Sequence, residues 1–221
     1  MDTFFVSIIK RLFDDESSKA NNKIGTTANE KSERVVKSDG GYKCIHLPAE
    51  CFIRQLQFVI KKLELTPAQI AKMKFVDVGC GVGQKVFLAH CFGFECFGLE
   101  LRAELIDAGQ HLFDNMYVQK PAVRSNEMEW RWRSPSFFIQ GNALTYDGYN
   151  QFDIIYFYCP LFKDELEIEL EKKIAADAKP GTILMANLPK YFYKKAPEGW
   201  KPLGNIKDDN MFHDGLIFQK I

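Results

Sequence analysis

From Lys74 onward the chain alternates short apolar runs, rich in β-branched and aromatic residues, with longer amphipathic segments. This alternation is typical of a parallel sheet with helices on both faces. Strands are predicted over residues 74–78, 95–99, 137–140, 152–158 and 182–188. The predicted fold class is therefore α/β, with a doubly wound, mostly parallel sheet.

Apolar residues at helical spacing predict helices before and between these strands. Residues 48–63 form one helix, and Thr66 begins a second as its N-cap, with Pro67 in the first helical position. Residues 85–91 are predicted to form a helix that follows the first strand. A crossover helix before the last of these strands is indicated by apolar residues four apart: Phe162, Leu166, Leu170 and Ile174.

The two ends of the chain have different patterns from this alternation. Residues 200–206 and 215–221 predict an antiparallel hairpin at the sheet edge, joined by a polar turn. Residues 4–13 predict an amphipathic helix that docks on the domain, binds a partner or lies on a membrane surface. Residues 17–41 lack apolar periodicity and predict a polar linker. We therefore expect an N-terminal segment, 1–41, and one domain, 42–221.

Charge and cysteine usage exclude several classes of protein. The chain has 29 basic and 29 acidic residues, so it has no overall attraction for nucleic acid, which is not an expected partner. Its six cysteines form no C-x-x-C pair and its four histidines are scattered, so no metal site is expected. No apolar run is long enough to cross a bilayer and no secretory signal is evident, so the expected location is cytoplasmic.

The most informative segment is 75–84, in which a buried strand runs into a loop with glycines at positions 79, 81 and 83 and then into a helix. Glycines let the backbone approach a ligand closely. Glu100 lies at the end of the next predicted strand. At this position a carboxylate can accept hydrogen bonds from the hydroxyl groups of a ribose. Gln84 occupies the position at which a dinucleotide-binding fold has the third glycine of its G-x-G-x-x-G pattern, which disfavours a dinucleotide. Asp77 would repel a pyrophosphate and favours the amino-acid end of a zwitterionic cofactor.

These residues resemble the first motif of class I S-adenosylmethionine-dependent methyltransferases, an acid, one residue and then G-x-G-x-G. The resemblance covers residues 75–188 and implies a Rossmann-like fold and S-adenosylmethionine as cofactor. The run 78–84 followed by 98–100 is also similar to histone-lysine methyltransferases that lack a SET domain. The implied cofactor-binding residues are Asp77, Gly79, Cys80, Gly81, Gly83, Gln84, Glu100, Leu101, Asn142 and Ala143.

Two later segments match the family less closely. Asn142 stands where the third motif usually has an aspartate for the adenine amino group, and it could instead cap a turn. Tyr158, Cys159 and Pro160 end the fourth strand, where the family's fourth motif faces the transferable methyl group. Paired asparagines are absent there, and so is the Asp/Asn-Pro-Pro-Tyr pattern of nucleobase methylation.

The predicted function is methyl transfer, with a protein or peptide amine favoured over a small molecule as acceptor. Tyr158 and Tyr156 are the candidate bases for the proton that an amine must lose. Aromatic and basic clusters at 130–133 and 190–195 either cover the sheet or contact the acceptor. A noncatalytic module that binds S-adenosylmethionine is the alternative from another class, and a nicotinamide-dependent oxidoreductase is disfavoured by Gln84.

Overall fold

The structure is a computed structural model that describes residues 3–23, 47–118, 137–161, 163–207 and 214–221. Within these ranges one sheet of seven strands forms, in the order β3-β2-β1-β4-β5-β7-β6. The strands are Lys74–Val78 (β1), Glu95–Glu100 (β2), Phe138–Gln140 (β3), Ile154–Tyr158 (β4), Ile183–Asn187 (β5), Trp200–Ile206 (β6) and Gly215–Lys220 (β7).

Strands β1 to β5 run parallel, as the sequence predicts. The strand order reverses between β1 and β4, because β2 and β3 lie on one side of this point and β5 lies on the other. In open α/β sheets, ligands bind beyond the carboxyl ends of the strands at such a reversal. The topology therefore directs attention to the loops that follow β1 and β4.

Helices accompany the strands throughout the described part of the chain. They are Thr3–Lys23 (α1), Ala49–Lys62 (α2), Pro67–Ile70 (α3), Gln84–Cys91 (α4), Ala103–Val118 (α5), Asp164–Asp177 (α6) and Tyr191–Lys194 (α7). The predicted N-cap of α3 is confirmed, because Thr66 Oγ1 accepts a hydrogen bond from the Gln69 N–H at 3.3 Å. None of the helices in the described ranges is long and apolar enough to cross a membrane.

Both faces of the central strands are buried, which is why these strands are apolar at nearly every position. On the first face, the Phe52 ring of α2 packs against Phe75 and Tyr156, with centroids 5.8 and 5.0 Å apart. On the second face, Val76 and Ile155 share a core with Leu170 of α6 and other buried apolar residues. The two cores hold the sheet rigidly and fix the positions of its carboxyl-end loops.

Helix α1 docks on the first face. Phe13 is fully buried, and its ring centroid lies 5.8 Å from that of Phe87 in α4 and 6.0 Å from that of Phe113 in α5. The helix also continues to Lys23, so the predicted linker is wrong for its first seven residues, 17–23. Ser17 and Ala20 extend the buried stripe, and such small residues give no apolar signal. The rest of the linker, 24–41, lies outside the described residues.

The C-terminal hairpin is confirmed, and its arrangement is specific. β7 pairs antiparallel with β5, so β6, which comes earlier in the chain, forms the edge of the sheet. The ladder shifts register between Pro202 and Gly204, where a Cβ on Gly204 would lie 2.4 Å from the Phe58 ring. A side chain at position 204 would therefore displace the Phe58 ring of α2. Most of the predicted polar turn, 208–210, lies outside the described residues.

Phe13→Ala tests the docking of α1. Removing a buried phenylalanine ring is expected to lower the free energy of unfolding by about 3–5 kcal/mol, measured by urea denaturation. Leu12→Ala is the matched control, because Leu12 is 38% exposed on the same helix, and it should change stability by about 0.5 kcal/mol or less. Equal small effects at both positions would show that α1 does not pack on the domain in solution.

Candidate functional site

The loop between β1 and α4 turns through three glycines in left-handed conformations. Gly79, Gly81 and Gly83 have φ angles of +73°, +58° and +82°, which residues with side chains rarely adopt. Space is also limiting, because a Cβ on Gly79 would lie 2.5 Å from the Cβ of Pro160, and one on Gly83 would lie 2.8 Å from the Phe138 ring. Backbone conformation therefore favours glycine at all three positions, and close packing adds a second reason at Gly79 and Gly83.

Backbone hydrogen bonds attach this loop to β2. The N–H groups of Gly79 and Cys80 donate to the Leu99 carbonyl at 2.8 and 3.2 Å. Cys80 is buried, and so is Gln84 at the start of α4. The structure thus brings the predicted segment 77–84 directly against the end of β2, where Glu100 lies.

Glu100 accepts three backbone hydrogen bonds. The Gly81 N–H donates to Oε2 at 2.9 Å, and the N–H groups of Leu101 and Arg102 donate to Oε1 at 2.9 and 3.0 Å. Burial raises the pKa of the Glu100 carboxyl although these bonds and Arg102 oppose the shift. Because a carboxylate has about four acceptor sites, a ribose hydroxyl would use the remaining one or compete with a backbone N–H.

Asp77 and Lys85 form a second buried group beside the loop. Burial raises the pKa of Asp77 to about 7, the charge of Lys85 lowers it, and the charge of Glu100 raises it further. Lys85 Nζ donates to the Leu47 carbonyl at 2.5 Å and also to the side-chain carbonyl of Gln84. Sequence reasoning missed Lys85. Its signal was a lysine inside the otherwise apolar first turns of α4.

The residues of the predicted third motif lie at the edge of this region. The side-chain carbonyl of Asn142 accepts a hydrogen bond from the Leu144 N–H at 2.9 Å, so in this structure Asn142 caps a turn, one of the two roles that the sequence left open. The Ala143 carbonyl accepts from the Tyr149 hydroxyl at 2.8 Å. Leu101 is 44% exposed at the mouth of the site. Asn142 and Leu101 are exposed, so the side chains of these residues contribute no buried polar group here.

The two candidate tyrosines differ in environment. Tyr156 is 1% exposed within the sheet, and burial raises the pKa of its hydroxyl well above the ordinary value. Because the Tyr156 hydroxyl oxygen is itself buried, an acceptor molecule has no access to it in this structure, which argues against Tyr156 as a base. Tyr158 is half-buried at the carboxyl end of β4, next to Asn187 in register. It is the better placed of the two.

Two acids of α6, which the sequence analysis did not single out, organise the neighbouring loops. Glu167 Oε2 accepts from the Leu161 N–H at 3.2 Å, and burial raises the pKa of this carboxyl to about 8. Glu171 accepts from three consecutive N–H groups, those of residues 190–192, and so fixes the start of α7. α6 carries several other acids, so the sequence does not distinguish these two buried carboxylates from exposed ones on the same helix. Among the described residues, no group of His, Cys, Asp and Glu is arranged to hold a metal ion.

The fold and this arrangement of site residues define a class I S-adenosylmethionine-dependent methyltransferase. A sequence model described as "Histone methylation protein DOT1" matches residues 47–194. The match covers more than half of the chain, and the chain belongs to this family. No curated protein matches it significantly.

Of the two aromatic and basic clusters in the sequence, the one at 130–133 lies outside the described residues. In the other, at 190–195, residues 191–194 form α7.

Solved structures share the fold at low sequence identity. An RNA methyltransferase from Salinibacter ruber in complex with S-adenosyl-L-homocysteine has 15% identity and a TM-score of 0.54, over 80% of this chain and 94% of that chain. The PH0226 protein from Pyrococcus horikoshii has 14% identity and a TM-score of 0.51, over 89% of this chain and all of that chain. At such identities the likeness concerns the fold and does not select an acceptor.

Glu100→Gln is expected to weaken the binding of S-adenosylhomocysteine about ten- to a hundredfold, the loss that corresponds to one charge-assisted hydrogen bond. The NH₂ group of the new amide would also face a backbone N–H group that now donates to the Glu100 carboxylate, so two donors would meet. Isothermal titration calorimetry measures the change. Glu95→Gln, at the exposed start of the same strand, is the control and should leave affinity nearly unchanged. Full affinity in Glu100→Gln would remove this carboxylate from the site.

Asp77 should make the stability of the cofactor-free protein depend on pH. Its carboxyl has a pKa of about 7 in the folded chain and one near its ordinary value of 3.8 when unfolded. The folded state therefore binds more protons between these values, and stability falls as the pH rises from about 4 to 7. Because a tenfold difference in proton affinity corresponds to about 1.4 kcal/mol, the loss is on the order of a few kcal/mol.

Urea denaturation across this pH range tests the expectation on Asp77→Asn, which lacks the titrating group. The other buried acids with raised pKa values, Glu100, Glu167 and Glu171, contribute falls of the same sign to both proteins. The difference between the two profiles therefore reports Asp77 together with its interaction with Glu100. Asp147→Asn, at an exposed position, serves as control and should behave as the wild type. Identical pH profiles for wild type and Asp77→Asn would contradict the assigned pKa.

Proposed function

We propose that this chain transfers the methyl group of S-adenosylmethionine to an amine of a protein or peptide. The observation that carries the proposal is the contact between the loops after β1 and β4. Because a Cβ on Gly79 would meet Pro160 at 2.5 Å, the fourth-motif loop lies directly against the glycine loop. An acceptor at this edge of the sheet would adjoin the segment that binds the cofactor.

The site residues fit S-adenosylmethionine. Left-handed glycines let the loop turn tightly at the carboxyl end of β1, Glu100 offers a carboxylate to a ribose, and Asp77 offers negative charge to an amino-acid group. When bound, the cofactor supplies an electrophilic methyl group on a sulfonium. The chain's own task is to align an acceptor lone pair with that group and to exclude water. No nucleophilic side chain is needed for such a displacement.

Tyr158 is the candidate residue for contact with the acceptor. It ends β4 immediately before Cys159, which has a left-handed φ of +45°, an uncommon conformation that often marks a functional turn. Its hydroxyl could accept a hydrogen bond from an amine and help to orient the lone pair. Lys190 and α7 follow the next strand at the same edge, and we assign them to the wall of the acceptor cleft.

The preference for a protein amine is supported by the family, whose description is histone methylation. The balanced charge of the chain gives no overall attraction for RNA or DNA. The fourth motif also lacks the pattern that accompanies methylation of nucleobase amino groups. Small-molecule acceptors remain the second choice, and their methylation would use the same cofactor residues.

Labelled transfer tests the acceptor class. The chain is incubated with S-adenosylmethionine carrying a tritiated methyl group and a lysate of the cells that express it. We expect macromolecular label that protease releases and ribonuclease does not. Label in RNA or in the low-molecular-weight fraction would contradict the protein acceptor. Binding of S-adenosylhomocysteine without any transfer would indicate a noncatalytic module.

Tyr158→Phe supplies the site-specific arm of the same experiment. Loss of the hydroxyl is expected to lower transfer by up to about tenfold, the contribution of one neutral hydrogen bond that orients the acceptor, and to leave S-adenosylhomocysteine binding intact. Tyr193→Phe is the matched control, because Tyr193 is 74% exposed on α7. Equal transfer by both variants would exclude a role for the Tyr158 hydroxyl.

A further inference from the structure

Glu167 differs from the other buried glutamates at the carboxyl end of the sheet in the hydrogen bonds that it accepts. Glu100 and Glu171 each accept three backbone N–H groups. Glu167 is 1% exposed, and its Oε2 accepts the Leu161 N–H at 3.2 Å. Its Oε1 is buried and has no hydrogen-bond partner in the part of the chain that the structure describes. Because an ionised carboxylate with an unpaired buried oxygen is costly, this geometry suits the neutral acid.

The charges around Glu167 come from its own helix and from the loops after β4 and β5. Burial is the main cause that raises the pKa of Glu167 to about 8, and the hydrogen bond to its carboxyl group opposes the shift. Glu171 and Asp164 raise this pKa further, whereas Lys190 lowers it. Lys190 Nζ lies 3.3 Å from Asp164 Oδ1, so its charge is paired with another acid. The Cys159 thiol also interacts with Glu167, and burial raises its own pKa to about 11. Glu167 is therefore largely neutral at pH 7.

The hydrogen bond to Glu167 lies next to the contact between two loops of the site. Leu161 directly follows Pro160, whose Cβ would lie 2.5 Å from a Cβ on Gly79. Before Pro160, Cys159 has a left-handed φ of +45°, a conformation that persists only where the surrounding structure holds it. The bond from the Leu161 N–H ties this turn to α6. A shift of Leu161 would therefore move the residue that touches the glycine loop.

We propose that Glu167 is a positioning residue for methyl transfer, whose neutral carboxyl group holds the loop after β4 against the glycine loop through the Leu161 N–H. The proposal rests on the function proposed above and adds to it a residue that is buried behind the site. Ionisation would leave a buried anionic oxygen unpaired, and water could reach this oxygen only if the loop opened. An apolar side chain of similar size would fill the space but could not accept the Leu161 N–H. Substitution should therefore change the loop without a matching change in the stability of the domain.

A comparison of Glu167→Met with Glu167→Gln at pH 7 tests the proposal, because the glutamine keeps an acceptor oxygen and the methionine does not. Hydrogen exchange of the Leu161 amide, followed by NMR, is expected to be about two- to tenfold faster in Glu167→Met, the range of one neutral hydrogen bond. Labelled methyl transfer to the same lysate proteins should be lower in Glu167→Met by a similar factor. The urea midpoint of Glu167→Met should stay close to that of the wild type. Glu169→Gln, at an exposed position on the same helix, should match the wild type in all three measurements.

The pH dependence of Leu161 exchange supplies a second arm, which needs no acceptor. With the loop closed the Glu167 carboxyl has a pKa of about 8, and with the loop open and hydrated the pKa returns toward its ordinary value of 4.5. The closed form binds more protons between these values, so closure weakens as the pH rises from about 5 to 8. The ratio of the wild-type exchange rate to that of Glu167→Gln at the same pH should rise at least about tenfold over this range. Intrinsic exchange chemistry and the titration of other acids act on both proteins and largely cancel in the ratio.

Each outcome of these measurements supports or overturns the proposal. A ratio that stays flat with pH overturns it, and so does equal Leu161 exchange or equal methyl transfer in Glu167→Met and Glu167→Gln. Lower transfer that follows a lower urea midpoint, with Leu161 exchange unchanged, would show a general defect of folding and overturn it as well. If the wild type binds S-adenosylhomocysteine but labels no protein, the proposed function fails, and the exchange ratio still decides whether Glu167 holds the loop. Should Glu167→Met not fold, the same ratio decides from the wild type and Glu167→Gln alone.

Discussion

The shape of the glycine loop depends on the Glu100 carboxylate, which adds side-chain hydrogen bonds to the backbone bonds between this loop and β2. This carboxylate accepts the Gly81 N–H from the loop after β1 and the N–H groups of Leu101 and Arg102 at the entrance to α5. A loop built from left-handed glycines has little conformational preference of its own, so it needs such external bonds. The carboxylate that we propose for the ribose therefore also shapes the glycine loop.

Buried ionisable groups are concentrated at the carboxyl end of the sheet. Asp77, Lys85 and Glu100 lie on the side of the glycine loop, and Glu167 and Glu171 lie on the side of the loops after β4 and β5. Each loses hydration on folding, and burial raises the pKa of all four acids. A domain that needed only stability would place apolar residues at these positions. Their retention is consistent with a site that exchanges some stability for electrostatic complementarity to a ligand.

Helix α6 connects the second core to the acceptor side of the site. Its apolar residues pack beneath the sheet, while Glu167 and Glu171 hold the backbone at Leu161 and at residues 190–192. The loops after β4 and β5 are thereby fixed to the same rigid helix. With Pro160 against Gly79, this arrangement fixes the loop after β4 relative to the glycine loop, an alignment that the proposed displacement reaction requires.

The sequence by itself determined the parallel strands, the need for glycine at positions 79, 81 and 83, and the place of Glu100, because strand periodicity and backbone conformation are local properties. It could not show that α1 continues to Lys23, since small residues complete its buried stripe, or that β7 inserts between β5 and β6. Nor could it show that Tyr156 is buried and Tyr158 only half-buried, or reveal Lys85 and Glu171 as buried partners of distant backbone groups. Only tertiary structure decided these, because the burial and bonding of a polar side chain depend on residues that are far away in sequence, as Leu47 is from Lys85.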